Sequence, residues 1–399
     1  MRIESLREER AGEWHRVAAD VIWEDRDAPV QTLAIETTAP FASDLEPSSD
    51  AFLLALLPLA QWLGETRIRV EGRVCPRLRD GLHAAMQLFT LWYGRCRPLR
   101  IEPTRGFAPS VPRREPRAAC FLSGGVDALS LLRSNRLDYP SDHPSSIRDG
   151  ILVFGLGAFH MDATGPKSER LAAFERHARR MTSFAEQVGV TLIPMRTNIR
   201  ALYPDFPTWR SIGFGAGIVS TALCLSSRID RVELGSDGVG MGQPPHSSNP
   251  CLVHQYATEA VAVRHAQVAL SRTEKTRIVS EWDEALSVLQ PCLYLRIPDA
   301  GRINCGECEK CLRTMLALVA LGKLDHAPTF PADDVTPAML EPLVIEDQID
   351  VLFCVQCIDA LTARGRHDLV APLRRKLDAY RHRDRRRRVL AFARKVAGF

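Results

Sequence analysis

The sequence predicts an α/β fold in which a parallel sheet carries helices on both faces, with an α+β region before it and helices after it. Three observations predict this. Short apolar runs alternate with longer amphipathic stretches between residues 117 and 238. The first run, AACFL, is followed by SGG and then DALSLLRSN, which reads as strand, glycine turn and helix. The chain has 399 residues, 45% of them hydrophobic and 25% charged, which is globular in composition and too long for one ordinary core. Alternating strands and helices imply a parallel sheet covered on both sides, and such sheets bind ligands beyond the carboxyl ends of their strands.

Residues 1–115 read as a separate α+β region. TLAIETTAP and TRIRVEG have strand character, and DAFLLALLPLAQWLG and CPRLRDGLHAAMQLFTLWYG are amphipathic helices. GFAPSVPRREPR, rich in proline and arginine, makes a boundary. Residues 116–325 follow as a second domain. Its strands are AACFL, ILVFGLG, VTLIPMRTN and RVELGSDG. Its helices include GPKSERLAAFERHARRMTSFAEQVG, which ends at Gly189, and SIGFGAGIVSTALCLSSR. From about 250 to 325 the pattern is helical, and residues 326–399 form a helical C-terminal region.

No apolar run approaches the roughly 18–20 residues of a membrane span, and the charged start MRIESLREERAGEW has no secretory core. The expectation is a cytoplasmic protein with no membrane association. A net charge of +4 does not by itself imply a polyanionic partner. The segment Arg374–Lys395, however, predicts a strongly basic helix able to touch nucleic acid or an acidic protein. Eleven cysteines in such a chain do not suggest disulfides. Cys75, Cys96, Cys120, Cys224 and Cys251 read as isolated buried residues, and Cys354 and Cys357 as one turn of a buried helix.

Ser123-Gly124-Gly125-Val126-Asp127 lies between a strand and a helix. Adjacent glycines let the backbone turn tightly and approach a ligand, and a helix N-terminus favours an anion. Asp127 cannot attract phosphate itself but can hold Mg²⁺, which would neutralise a pyrophosphate. The loop resembles the SGGxDS signature of PP-loop ATP pyrophosphatases, with Ala128 at the position of the last serine. That resemblance implies a PP-loop sheet of the HUP-like type, with ATP held by Ser123, Gly124, Gly125, Val126, Asp127 and Ala128. Ser130 stands on another face of the helix as a substitute hydroxyl.

Cys305, Cys308 and Cys311 stand at matching intervals, with Cys292 upstream. Four thiolates match tetrahedral Zn²⁺ in a closed structural site, and an iron–sulfur cluster also uses four. A cysteine followed by CGxCxxC is similar to the zinc motif of 7-cyano-7-deazaguanine synthases. That family has an arginine three residues after the last cysteine; here Arg313 stands two residues after it and is a candidate substrate contact. The resemblance covers roughly residues 117–320.

Lys275 is a candidate for contacting ATP phosphates, paired with Asp127 as the catalytic residues, with Arg272 a second choice. Gly155 and Gly235 end strands and are candidates for the nucleotide; Asp237 is one for substrate or metal. Strand-end position also points to Gly157, Asp162, Arg196 and Asn198, and Gly213, Gly215 and Gly217 suit either a helix near the nucleotide or packing. GVGMGQPPHSSNPCLVHQY reads as a long lid-like loop whose His246 and His254 are surface or packing residues.

The resemblance implies a ligase that uses ATP and Mg²⁺ to adenylate a carboxylate like that of 7-carboxy-7-deazaguanine. The acyl group would then pass to ammonia or to an amine of a protein or peptide. The extra terminal regions suggest another acceptor or a protein partner, and multi-gene antiviral systems are one setting for such relatives. Two other readings stand beside it: a tRNA thiolase, and a non-catalytic nucleotide-binding partner protein.

Overall fold

The computed structural model describes residues 1–94, 96–109, 115–157, 167–238, 245–292 and 303–396. Asp162 lies outside them. The chain forms two compact units, Met1–Ala269 and Leu270–Phe399. The division at 270 falls inside the stretch that composition assigns to one domain, 116–325.

The first unit is α/β. Its strands are β1 (Arg2–Ala11), β2 (Trp14–Ile22), β3 (Gln31–Thr38), β4 (Arg67–Val70), β5 (Arg100–Pro103), β6 (Ala118–Phe121), β7 (Ile147–Phe154), β8 (Thr191–Thr197), β9 (Arg231–Gly235) and β10 (Ala262–Ala266). Its helices are α1 (Ser49–Trp62), α2 (Pro76–Tyr93), α3 (Val126–Asp138), α4 (Lys167–Gln187), α5 (Phe206–Thr208), α6 (Phe214–Leu223) and α7 (Pro250–Val253). One ten-stranded sheet runs β10-β9-β6-β7-β8-β3-β2-β1-β4-β5. The stretch from β10 to β8 is parallel, β8-β3-β2-β1 is antiparallel, and β1-β4-β5 is parallel again.

Strand alternation places Ala119, Phe121, Ile151, Ile193 and Met195 in one core with α1, α2 and α6. Cys120, Leu122 and Leu152 point to the opposite face, where α3 and α4 pack against β6–β9. There Phe154 meets Phe174 of α4, with ring centroids 5.1 Å apart. The parallel stretch is therefore covered on both faces, as the sequence predicts.

Hydrogen bonding crosses the composition boundary near residue 115, because β3 pairs with β8. The first residues form two long strands, although their charge hides it. On β1–β3 the outer face carries ion pairs of Arg7 with Glu9 and Asp20, and of Arg16 with Glu9 and Glu36. Ile3, Val17, Val21, Leu33 and Ile35 supply the inner face. β10 departs from the helical reading of residues 250–325. Its five residues are too few for a period-two pattern to stand out between α7 and the next helix.

The second unit contains α8 (Arg272–Ser280), α9 (Asp283–Leu286), α10 (Glu309–Leu321), α11 (Gln348–Ala363) and α12 (His367–Val396). Ser271 and Glu274 form a reciprocal capping box at the start of α8. Cys354 and Cys357 are buried on α11, as are Cys75, Cys96, Cys120 and Cys224 in the first unit; Cys251, expected to be buried, is exposed on α7. No helix among the described residues is long and apolar enough to cross a membrane.

Candidate functional site

In the parallel stretch, β6, β7 and β8 proceed in one direction, and the chain then returns to lay β9 on the other side of β6. The loops after β6 and β9 consequently leave the sheet in opposite directions. A crevice opens at such a switch point, beyond the carboxyl ends of the strands. Ser123–Asp127 follows β6 at this place.

Gly124 has φ +77°, a left-handed conformation that a side chain would strain. Gly125 is the N-cap of α3, is extended, and gives no side-chain cap. The first amides of α3 thus lack a capping side chain, and Asp127 lies in the same first turn. Ser123 is exposed and Asp127 half-buried. A β-carbon on Gly235, at the end of β9, would stand 2.8 Å from the Asp127 carbonyl oxygen. The loop and β9 therefore meet backbone to backbone across the switch point.

Two supports of this loop escape sequence reasoning. His177 of α4 is buried and its Nε2 lies 3.0 Å from the Ser123 carbonyl oxygen, while Arg180 Nη2 lies 3.3 Å from its Nδ1. Burial above all, and then the Arg180 charge, push the imidazole down to about 4, against the hydrogen bond to Ser123. The ring is neutral at pH 7, and Nε2–H donates to the Ser123 carbonyl. The available signal was a histidine on the apolar face of α4, three residues after Phe174 and four before Met181. The second support is Gln267, whose Oε1 accepts from Ser130 Oγ at 2.7 Å. Ser130 is fully buried and its hydroxyl also lies 3.2 Å from the Asp127 carbonyl. It is committed to the helix and cannot replace the hydroxyl missing at Ala128.

Gly155 ends β7 with φ +110°, and a β-carbon there would stand 1.9 Å from the Thr197 carbonyl oxygen. Gly157 has open space around it. Asp237 is exposed just beyond β9, where Ser236 is anchored by its amide to the Ala266 carbonyl at 3.0 Å. Burial lowers His246 most, with Arg210 acting the same way and Asp237 opposing.

Several candidates have other duties. Arg196 pairs with Glu36 and lies 4.2 Å from the Trp14 ring centroid. Asn198 accepts from Ala34 N at 2.8 Å and donates to Thr32 O at 2.7 Å. Both belong to the β8–β3 seam rather than to a nucleotide. Gly213 and Gly217 leave room for Trp209, and Gly215 for the Ser247 backbone, so these glycines serve packing. The expected lid is also corrected from residue 245 onward. Ser247 bonds to the Arg210 carbonyl, Asn249 caps α7 and Tyr256 is buried. Residues 239–244 lie outside the described residues. His254 is exposed, with Nδ1 3.3 Å from the Val263 carbonyl oxygen.

In the second unit the sulfurs of Cys292, Cys305, Cys308 and Cys311 all lie within 4.8 Å of one another. The CxxC turn and the first turn of α10 bring the last three together, with Cys308 as the N-cap. Amides of Glu307 and Cys308 donate to Cys305 Sγ at 3.4 and 3.2 Å, the kind of support that a bound thiolate receives. Asn304, unnoticed in the sequence, is fully buried; it accepts from Cys292 N at 3.3 Å and donates to Leu289 O at 2.9 Å. Hydrogen bonding with Cys308, with burial adding to it, pushes Cys292 up to about 12, and contacts with Cys292 and Cys308 raise Cys311. A cation would replace these shared protons. This four-cysteine group is compatible with zinc.

No protein family model, curated protein or solved structure matches this chain.

What the sites can do chemically follows from their own residues. The loop offers amides to an anion and a carboxylate to a cation. Lys275 lies on α8 in the second unit and is buried, at 1% exposure. Arg272 opens that helix. Arg313 is held by Asp350 of α11 and Glu309 of α10 and lies 5.9 Å from the Phe353 ring centroid. These contacts join α10 to α11.

Proposed function

We propose that the protein is a PP-loop enzyme that cleaves ATP between its α- and β-phosphates to activate a carboxylate. The observation that carries this reading is the position of Ser123–Asp127 at the switch point, with Gly235 of β9 against the Asp127 carbonyl. The amides of Gly125 and of the first turn of α3 would receive the phosphates. Ser123 and Gly124 would let the chain curve around them, with Val126 and Ala128 anchoring the helix behind. Asp127 would hold Mg²⁺, which when bound neutralises the leaving pyrophosphate.

A carboxylate oxygen of the substrate attacks the α-phosphorus, the bond to the bridging oxygen breaks, and pyrophosphate leaves with its electron pair. An amine then attacks the acyl carbon, AMP departs with the carbon–oxygen electron pair, and the amine nitrogen loses a proton. A compound like 7-carboxy-7-deazaguanine, with ammonia or a protein amine as acceptor, is the substrate pair that the motifs favour. Asp237 stands where a substrate would lie. Zn²⁺ on the four cysteines would brace the second unit.

A second reading has one observation in its favour. Ala128 lacks the family hydroxyl and Ser130 is bonded to Gln267, so the loop would bind nucleotide without turnover. Incubation with ATP, Mg²⁺, 7-carboxy-7-deazaguanine and ammonia separates the two. AMP and pyrophosphate that disappear in Asp127→Asn support the enzyme. Nucleotide binding without AMP supports the module, and no nucleotide binding overturns both.

A further inference from the structure

The long helix α12 has two different sides. Leu369, Val370, Leu373, Leu377 and Tyr380 are buried, and the helix packs on α11 and on the turn Pro337–Leu340. Polar contacts fix the same side: Gln348 Nε2 donates to Tyr380 Oη at 3.2 Å, and Arg383 Nη2 to the Ile345 carbonyl at 2.7 Å.

The other side is basic. Arg374, Arg375, Arg381, His382, Arg385 and Arg386 are exposed. At about 100° per residue, Arg374, Arg381 and Arg385 fall in one stripe roughly 16 Å long, with Arg375, His382 and Arg386 in a stripe beside it. Asp378 lies in this face and pairs with Arg381 at 3.2 Å. Among the described residues, no carboxylate pairs with Arg374, Arg375, Arg385 or Arg386.

We infer that the arginine face of α12 binds the phosphate backbone of a nucleic acid. A guanidinium fork matches phosphate oxygens, and a row of them along a rigid rod matches a chain of regularly spaced anions. The alternatives fit less well. A protein partner needs apolar or aromatic anchors at the centre of its interface. None of the exposed large hydrophobic residues among those described lies on α12. A membrane surface needs the apolar side of the helix to be free, and here that side is packed on α11. The inference does not depend on the adenylation reading.

The test uses the full chain and fluorescence anisotropy of a short labelled DNA duplex and a labelled RNA hairpin, titrated between about 50 and 200 mM salt. The triple variant Arg374→Ala, Arg381→Ala, Arg385→Ala is compared with a control, Arg97→Ala, Arg100→Ala, Arg105→Ala. Circular dichroism verifies that each retains its helices. Three lost phosphate contacts should flatten the plot of log K against log salt by roughly 2–3 units on duplex DNA. Affinity should fall more than about tenfold, with the control unchanged. Equal binding by wild type and the triple variant would overturn the inference. So would binding to polyglutamate or anionic vesicles without binding to either nucleic acid.

Discussion

Gly235 and Asp127 meet so closely that a single added methyl cannot fit: it would stand 2.8 Å from the Asp127 carbonyl oxygen and 3.1 Å from its carbonyl carbon. Neither atom belongs to a flexible side chain, so the backbone itself must move. Gly235→Ala is expected to cost about 1–3 kcal/mol by overpacking. It should also displace the start of α3, and nucleotide affinity should fall by more than the stability change alone explains. Thermal melting and calorimetry with a non-hydrolysable ATP analogue measure the two. Unchanged nucleotide affinity in a destabilised variant would separate the glycine from the site.

His177 gives the loop a second constraint with a pH signature. Its imidazole is pushed down to about 4 from an ordinary value of 6.5, chiefly by burial. The unfolded chain binds a proton below about 6.5 that the fold refuses. This group therefore removes stability as pH falls from about 6.5 to about 4, by about 2 kcal/mol at pH 5. His177→Gln should remove that dependence. His177→Phe should cost about 1–3 kcal/mol by leaving the Ser123 carbonyl unpaired. Melting curves of the variants against wild type from pH 8 to pH 5 provide the check. Parallel curves for wild type and His177→Gln would contradict it.

The parallel stretch and the two motifs were legible because each has a local sequence signature. AACFL-SGGV-DALSLLRSN is contiguous, and the three clustered cysteines are spaced by their own turn. What was hidden depends on residues distant in sequence. β1 and β2 carry no apolar run that marks them as strands, because their outer face is laced with Arg7, Glu9, Arg16 and Asp20. Arg196 and Asn198 do end a strand, but nothing local reveals that β3 will arrive beside them. Gln267 and Asn304 are ordinary polar residues until the fold brings Ser130 to one and Cys292 to the other.

The cluster of Cys292, Cys305, Cys308 and Cys311 predicts one Zn²⁺ per chain, measurable by elemental analysis. Cys308→Ser should lose the metal. Asn304→Ala keeps all four thiols but releases the amide of Cys292. It should weaken zinc about 10–100-fold, the usual effect of losing an outer support. Competition with a chromophoric chelator reads this directly. Iron with visible absorbance in the purified protein would replace zinc by a cluster, and no metal at all would leave four packed thiols.

Asp50 works in the opposite sense to His177 over an overlapping range. It is half-buried at the start of α1, and desolvation there pushes it from 3.8 up to about 6 against the hydrogen bond from the Cys75 amide. The fold holds this proton more tightly than the unfolded chain does. The associated stability is present in full below about 3.8 and is lost as pH rises through about 6. At pH 7 the charged form costs up to about 3 kcal/mol. Asp50→Asn keeps an acceptor for the Cys75 amide, 2.8 Å away, and carries no charge. The variant should therefore be more stable than wild type at pH 7–8, and the gain should vanish near pH 4. Because the two groups pull against each other between pH 4 and 6, the wild-type profile alone can look flat, and only the difference between variant and wild type isolates Asp50. A gain that persists at pH 4 would mean that amide packing rather than charge is responsible.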